Sequence, residues 1–123
     1  MLFKNVSIAG LAHVDAPHTL TSQEINERLK PTLDRLGIRV DVLGDIAGIH
    51  ARRMWDEDVQ ASDAATLAAR KALDDAGIDV GRVGLLVNTS VSRDFLEPST
   101  ASIVSGNLGV SDECMTFDVA NAC

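Results

Sequence analysis

The stretch Cys114-Met115-Thr116-Phe117-Asp118-Val119-Ala120-Asn121-Ala122-Cys123 sets how the rest of the chain is understood. Apolar, β-favouring residues alternate with polar or small ones through Phe117-Asp118-Val119, the pattern of a short buried strand. Three small residues and a cysteine follow, as at a strand-to-turn junction aimed at the start of a helix. A thiol in that place faces unpaired N–H groups and the positive end of a helix dipole, which favour thiolate over thiol. Cys123 is therefore a candidate nucleophile. The other reading, an inert half-buried thiol, stays open on spacing alone, because no helix, histidine or base follows Cys123 in the sequence.

Upstream of that stretch the pattern is one of strands and helices in turn. Val83-Gly84-Leu85-Leu86-Val87-Asn88-Thr89-Ser90 is almost continuously apolar, as a central strand covered on both faces would be. The loop Ser92-Arg93-Asp94-Phe95-Leu96-Glu97-Pro98-Ser99-Thr100 comes next. Pro98 suits the first position of a helix over Ala101 to Leu108, which Gly109 ends. Glu97 then sits at or beside the N-cap. It can be a favourable charge at the helix's positive end, or a general base, and the residues alone do not choose between these. Phe95 and Leu96 are apolar residues on a loop, which suits a pocket wall or a subunit contact.

Further back, Asp63 can cap an alanine-rich helix that runs to about Ala76 and closes at Gly77. Helix, short loop and buried strand in this order are the βαβ grammar of an α/β protein with a mostly parallel sheet. Asn5 to Val14 reads as a first strand, with a turn at Asp15–His18. Thr21 and Glu24 form a capping-box pattern for a helix over 22–30, where Pro31 marks a break or a fresh first turn and Leu36-Gly37 a C-cap. Ile38 to Leu43 suits a short strand or a turn of helix. Gly44 to Trp55 reads as a loop holding most of the local positive charge. On it Arg52 and Arg53, with His50, can hold a phosphate-rich ligand, or can simply be solvated.

The chain has 123 residues, the size of one domain or part of one, and is 46% hydrophobic against 24% charged. That balance excludes a disordered tail. A net charge of −7, from 18 acidic and 11 basic residues, disfavours a nucleic-acid binder and docking on anionic membranes. No apolar run approaches the roughly 20 residues of a membrane span. Met1-Leu2-Phe3-Lys4 leads directly into a strand-like run, so no targeting segment is expected, and two cysteines make no disulfide framework. A reducing cytoplasm is the expected location. His13, His18 and His50 are scattered, and neither a metal-ligand spacing nor a P-loop or G-x-G-x-x-G is present, so no metal site is expected.

Phe117-Asp118-Val119-Ala120-Asn121-Ala122-Cys123 closely resembles the active-site signature of the thiolase superfamily, specifically of ketoacyl-acyl-carrier-protein synthase III-like enzymes. There a run of the form F-D-V-x-x-A-C ends at the acyl-accepting cysteine. Ala47-Gly48-Ile49-His50-Ala51-Arg52-Arg53 resembles their basic loop near the coenzyme A entrance, with His50 in place of the usual arginine. Val42 stands where a tryptophan is common. Ala76-Gly77-Ile78 followed by Val83-Gly84-Leu85-Leu86-Val87 matches a helix-to-strand junction of the group. The stretch Asn88 to Ser99, with Glu97 before Pro98-Ser99, is similar to the branch that joins two fatty acyl-CoA molecules head to head in bacterial olefin biosynthesis.

The resemblance implies a layered thiolase-like αβαβα fold, residues 1–123 being part of its N-terminal half. It implies Cys123 as the acyl-accepting nucleophile and Glu97 as the base, reaching across a homodimer into the neighbour's site. Arg52 and Arg53 would contact coenzyme A phosphates. No cofactor is implied beyond coenzyme A thioesters as substrates, and other olefin-biosynthesis enzymes would be partners. The implied reaction is a non-decarboxylative Claisen condensation of two fatty acyl-CoA molecules to a β-keto acid. Two alternatives are a decarboxylating β-ketoacyl synthase III and a non-catalytic thiolase-like partner subunit. Such enzymes are much longer than this chain, and their oxyanion-binding His and Asn belong to the second half.

Overall fold

Thr21 opens the first helix much as its spacing from Glu24 suggests. In the computed structural model, which describes residues 4–38 and 42–121, strand β1 (His18–Thr21) runs directly into helix α1 (Ser22–Leu36). The Thr21 hydroxyl accepts the Glu24 N–H at 3.2 Å, and the Glu24 carboxylate accepts the Thr21 N–H at 2.8 Å. Hydrogen bonds from the Thr21 hydroxyl and N–H hold the Glu24 carboxyl below its usual value. Buried Ser22 donates its hydroxyl to the Ile49 carbonyl and its N–H to the His50 carbonyl at 2.9 Å, which satisfies a free group of the first turn.

Pro31 does not end this helix. It lies inside α1, which continues to Gly37, where a φ of 70° forms the left-handed cap that glycine adopts without a Cβ penalty. With both ends capped, the lost hydrogen bond at Pro31 interrupts nothing. Residues 39–41, within the segment read as strand or helix turn, lie outside the described residues, and Val42–Ile46 is a π-helical turn. Strand β2 (Ala51–Met54) pairs antiparallel with β1, with His18 opposite Met54 and Thr21 opposite Ala51. The loop expected at Arg52 and Arg53 is thus a strand, because residues 18–21 supply a ladder that no local pattern revealed. These elements form one compact unit, residues 15–57.

The other unit combines residues 1–14 with 58–123. Helix α2 (Ala61–Ala76) is capped at Gln60, whose N–H donates to the Asp63 carboxylate at 3.0 Å, so Asp63 reaches back from the first turn rather than standing at the cap. A 3-10 turn at Val80–Arg82 leads to β3 (Leu85–Asn88). Helix α3 (Thr100–Leu108) and β4 (Met115–Asp118) follow. β3 and β4 pair in parallel, Leu85 beside Met115 and Asn88 beside Asp118, so β3-α3-β4 is the expected βαβ unit. The core among the described residues sits where α2 and α3 meet the sheet, with Ala101, Val104 and Leu108 buried on α3.

Three expectations need correction here. Instead of one mostly parallel sheet, the described residues form two two-stranded sheets, one antiparallel and one parallel. Neither β3 nor β4 is covered on both faces: Leu85, Val87, Met115 and Phe117 are 51, 44, 58 and 51% exposed, since the helices pack on the opposite side only. Residues 5–14 are not a strand, because among the described residues no strand offers them a ladder. They run instead against α2, where the Lys71 ammonium donates to the His13 carbonyl at 3.2 Å. A Cβ at Gly10 would stand 2.9 Å from both the Ala72 carbonyl oxygen and the Ala76 methyl. Because one of these is helix backbone, Gly10→Ala is expected to cost about 1–3 kcal/mol in denaturant unfolding of the full-length protein. An unchanged midpoint would show that the segment does not lie this close.

Candidate active site

The carboxyl ends of β3 and β4 lie side by side, at Asn88 and Asp118, and the N-terminus of α3 points at them. In sheets of parallel strands this end is where ligands bind, because loops and helix N-termini converge there. The candidate base and the candidate nucleophile both belong to chain segments that continue from this end. Glu97 belongs to the loop between β3 and α3, and Cys123 lies five residues beyond Asp118. Ala122 and Cys123 themselves are outside the described residues.

Asp118 holds this corner together. One carboxylate oxygen accepts the Thr100 N–H at 2.8 Å, and the other accepts the Ala101 N–H at 2.8 Å and the Asn88 side-chain amide at 3.2 Å. Desolvation, the largest single influence, pushes this carboxyl up. The N–H groups of Ala101 and Thr100, the Asn88 amide and the Arg93 charge together outweigh it and hold the carboxyl below its ordinary range. With the folded value lowered, the contribution is complete above the ordinary aspartate value of roughly 3.9. It fades as pH falls through the lower, folded value. The clamp is therefore fully charged across neutral and mildly acidic conditions.

The Glu97 loop is fixed at its other end too. Asp94 accepts the Ser62 N–H at 3.1 Å, at the first turn of α2. Between these anchors Phe95 and Leu96 are 57 and 80% exposed, and Glu97 is exposed with no hydrogen bond or ion pair among the described residues. Glu97 is not at the N-cap, nor is Pro98 the first helical residue: Ser99 is the cap, its hydroxyl accepting the Ser102 N–H at 3.1 Å, and the Glu97–Pro98 bond is cis. The helix starts later than the proline suggests because Ser99 and Asp118 satisfy its first N–H groups.

Arg52 and Arg53 belong to the other compact unit. As neighbours on β2 they point to opposite faces of the strand, so they do not form one two-pronged clamp. Arg53 donates to the Pro17 carbonyl at 3.4 Å. Near them His18 and Asp56 are in contact at 2.7 Å, both largely exposed. The sequence reading missed Asp94 and Asp118. The alternation makes Asp118 only the polar residue of a strand; its place at the last position of that strand, eighteen residues after a Ser/Thr helix start, is the available sign. Among the described residues no group of His, Cys, Asp and Glu could hold a metal ion, and no helix is long and apolar enough to cross a membrane.

No protein-family model matches the chain. Over all 123 residues it is 83% identical to an acyl-CoA:acyl-CoA alkyltransferase of Xanthomonas campestris pv. campestris, and it spans 36% of that protein's length. The crystal structure of cerulenin-bound Xanthomonas campestris OleA matches the whole chain at 83% identity with a TM-score of 0.89, again over 36% of its length. A structure described as 3-oxoacyl-(acyl carrier protein) synthase III, FabH, from Xanthomonas oryzae pv. oryzae matches equally, at 83% identity, TM-score 0.90 and 36% of its length. Solved forms of the Xanthomonas campestris protein include one with a glutamate replaced by glutamine and one with a cysteine replaced by alanine. Those two positions are 26 apart, as Glu97 and Cys123 are here.

Proposed function

We propose, starting from a chain that belongs to the acyl-CoA:acyl-CoA alkyltransferase family of thiolase-like condensing enzymes, that the whole protein condenses two fatty acyl-CoA molecules without decarboxylation. The observation that carries this reading is the 26-residue separation of a glutamate and a cysteine that the chain shares with the Xanthomonas campestris enzyme.

The chemistry runs in two stages. The Cys123 thiolate attacks the carbonyl carbon of the first acyl-CoA, and the carbon–sulfur bond to coenzyme A breaks, leaving an acyl-cysteine thioester. Backbone N–H groups near Cys123 stabilise the oxyanion that forms on the way. Glu97 then takes a proton from the α-carbon of the second acyl-CoA. The resulting carbanion attacks the Cys123 thioester, a carbon–carbon bond forms, and Cys123 leaves as thiolate. The product is a β-ketoacyl thioester, whose hydrolysis gives the β-keto acid that enters long-chain olefin synthesis.

Glu97 serves the site of a second subunit in this proposal. The bare Phe95-Leu96 pair beside it, 57 and 80% exposed on an anchored loop, is the apolar surface such a contact would cover. Arg52 and Arg53 would contact coenzyme A phosphates singly, from opposite faces of β2. Residues 1–123 form part of the N-terminal half of the enzyme, which works in the cytoplasm. The oxyanion-binding His and Asn belong to the second half of such enzymes.

A second reading has its own support. The Xanthomonas oryzae protein, equally similar, carries the name of a carrier-protein synthase III, and in such a reaction decarboxylation generates the carbanion and Glu97 is dispensable. Intact-protein mass spectrometry of the full-length enzyme with myristoyl-CoA alone, with analysis of the small molecules formed, separates the readings. An acyl adduct on Cys123 together with a β-keto acid or its ketone is the expected outcome. An adduct without product until malonyl-carrier protein is added would establish the decarboxylating reaction instead, and no adduct would mark a non-catalytic subunit.

A further inference from the structure

Glu97 makes no hydrogen bond or ion pair of its own among the described residues, so the backbone of its loop alone determines where its carboxylate stands. That backbone is fastened a few residues after Glu97 by a group on another element. The Asp118 carboxylate takes the N–H groups of Thr100 and Ala101, each at 2.8 Å, from the end of β4. We propose that Asp118 is a positioning residue, which fixes the end of the Glu97 loop and so the place from which its carboxylate is presented to the partner's site. The inference rests on the reading of Glu97 as the base.

Asp118 is more than a helix cap. Ser99 already caps α3, its hydroxyl accepting the Ser102 N–H, so the helix start has its ordinary partner without Asp118. What the carboxylate adds is a cross-link between two segments eighteen residues apart in sequence. Its direction is set in turn by the side-chain amide of Asn88, at the end of β3, at 3.2 Å. Charge-assisted bonds of this kind are shorter and stronger than neutral ones. The strand end does not need the side chain to stay in place: Val119 donates its N–H to the Asn88 carbonyl at 2.8 Å, and Met115 to the Gly84 carbonyl at 3.1 Å. Losing the carboxylate therefore frees the Glu97 loop while β4, and the chain toward Cys123, keeps its ladder.

The consequence for catalysis is selective. Acylation of Cys123 uses no base on the loop, whereas proton removal from the second acyl-CoA requires Glu97 within hydrogen-bond reach of the α-carbon proton. A misplacement of about 1 Å can cost on the order of 100-fold in such a step. Asp118→Asn keeps the shape and one acceptor but turns an NH2 group toward a backbone N–H, so one of the two bonds is lost.

The test uses the full-length enzyme with myristoyl-CoA in four forms: unmodified, Asp118→Asn, Glu97→Gln and the double variant. Quenched single-turnover mass spectrometry gives the rate of acyl-Cys123 formation, and product analysis gives the rate of condensation. Asp118→Asn is expected to acylate within about threefold of the unmodified enzyme and to condense on the order of 10–100-fold more slowly, and the double variant to be no slower than Glu97→Gln. Equal losses in both steps, or a double variant slower than Glu97→Gln by the full Asp118→Asn factor, would overturn the positioning role. Glu97→Gln condensing at the normal rate would remove the base assignment and this inference with it. Glu97→Gln inactive but Asp118→Asn condensing normally would remove this inference alone. Should Asp118→Asn fail to fold, Asn88→Ala, which takes away the amide orienting the carboxylate, is expected to show the same selective loss on a smaller scale. A loss shared between both steps there overturns the proposal equally.

Discussion

Cys123→Ala in the full-length protein is expected to abolish the acyl-enzyme and to lower product formation on the order of 10,000-fold or more. The size follows from the division of labour: without a nucleophile the first acyl group is never held, and the carbanion made from the second acyl-CoA has no thioester to attack. Cys123→Ser should fail nearly as completely. A serine hydroxyl is a much weaker acid than a thiol and is hardly ionised at neutral pH, so it needs a neighbouring base to act as a nucleophile. The informative failure is specific. Cys114, the other thiol of the chain, is half-buried with its Sγ 3.6 Å from the Met115 carbonyl. An acyl adduct found on Cys114 in place of Cys123 would relocate the nucleophile to the start of β4 and undo the assignment.

Glu97→Gln is expected to separate the two halves of the reaction. Acylation of Cys123 should proceed at its normal rate, while condensation drops by a factor of about 100 to 10,000, the usual range for a lost general base. Glutamine is nearly the same size and can still accept a hydrogen bond, so the loop keeps its shape and only the proton acceptor disappears. Rapid-quench mass spectrometry should then show the acyl-enzyme accumulating to one equivalent per active site and persisting. Normal condensation by this variant would instead favour the decarboxylating reaction, in which loss of carbon dioxide makes the carbanion.

What could be read in advance was what is local. The Thr21–Glu24 capping box and the glycine at position 37 carry their structure in adjacent residues and appear where expected, and the run Val83 to Ser90 holds a strand, though only over Leu85–Asn88 and with one face bare. The failures share one physical cause, which is that a strand exists only with a partner. Residues 5–14 have the composition of a strand but no ladder, and Arg52-Arg53 lie in one because His18–Thr21 happens to run alongside. The site divides in the same way. Cys123 and Glu97 are candidates on a signature and a loop pattern, whereas Asp118 and Asp94 make hydrogen bonds to residues 17, 18 and 32 positions away, which no local pattern encodes. Glu97's surroundings were misjudged by two residues because Pro98 suggested a helix start that Ser99 and Asp118 together place later.

The uncovered side of the β3–β4 pair has a consequence for aggregation. Leu85, Val87, Met115 and Phe117 form an apolar strip on two parallel strands, and within this sheet each strand has one edge unpaired. Strands of this composition are templates for pairing with other chains. While the strip is bare it favours association between chains, and polar substitutions on it are expected to lessen aggregation.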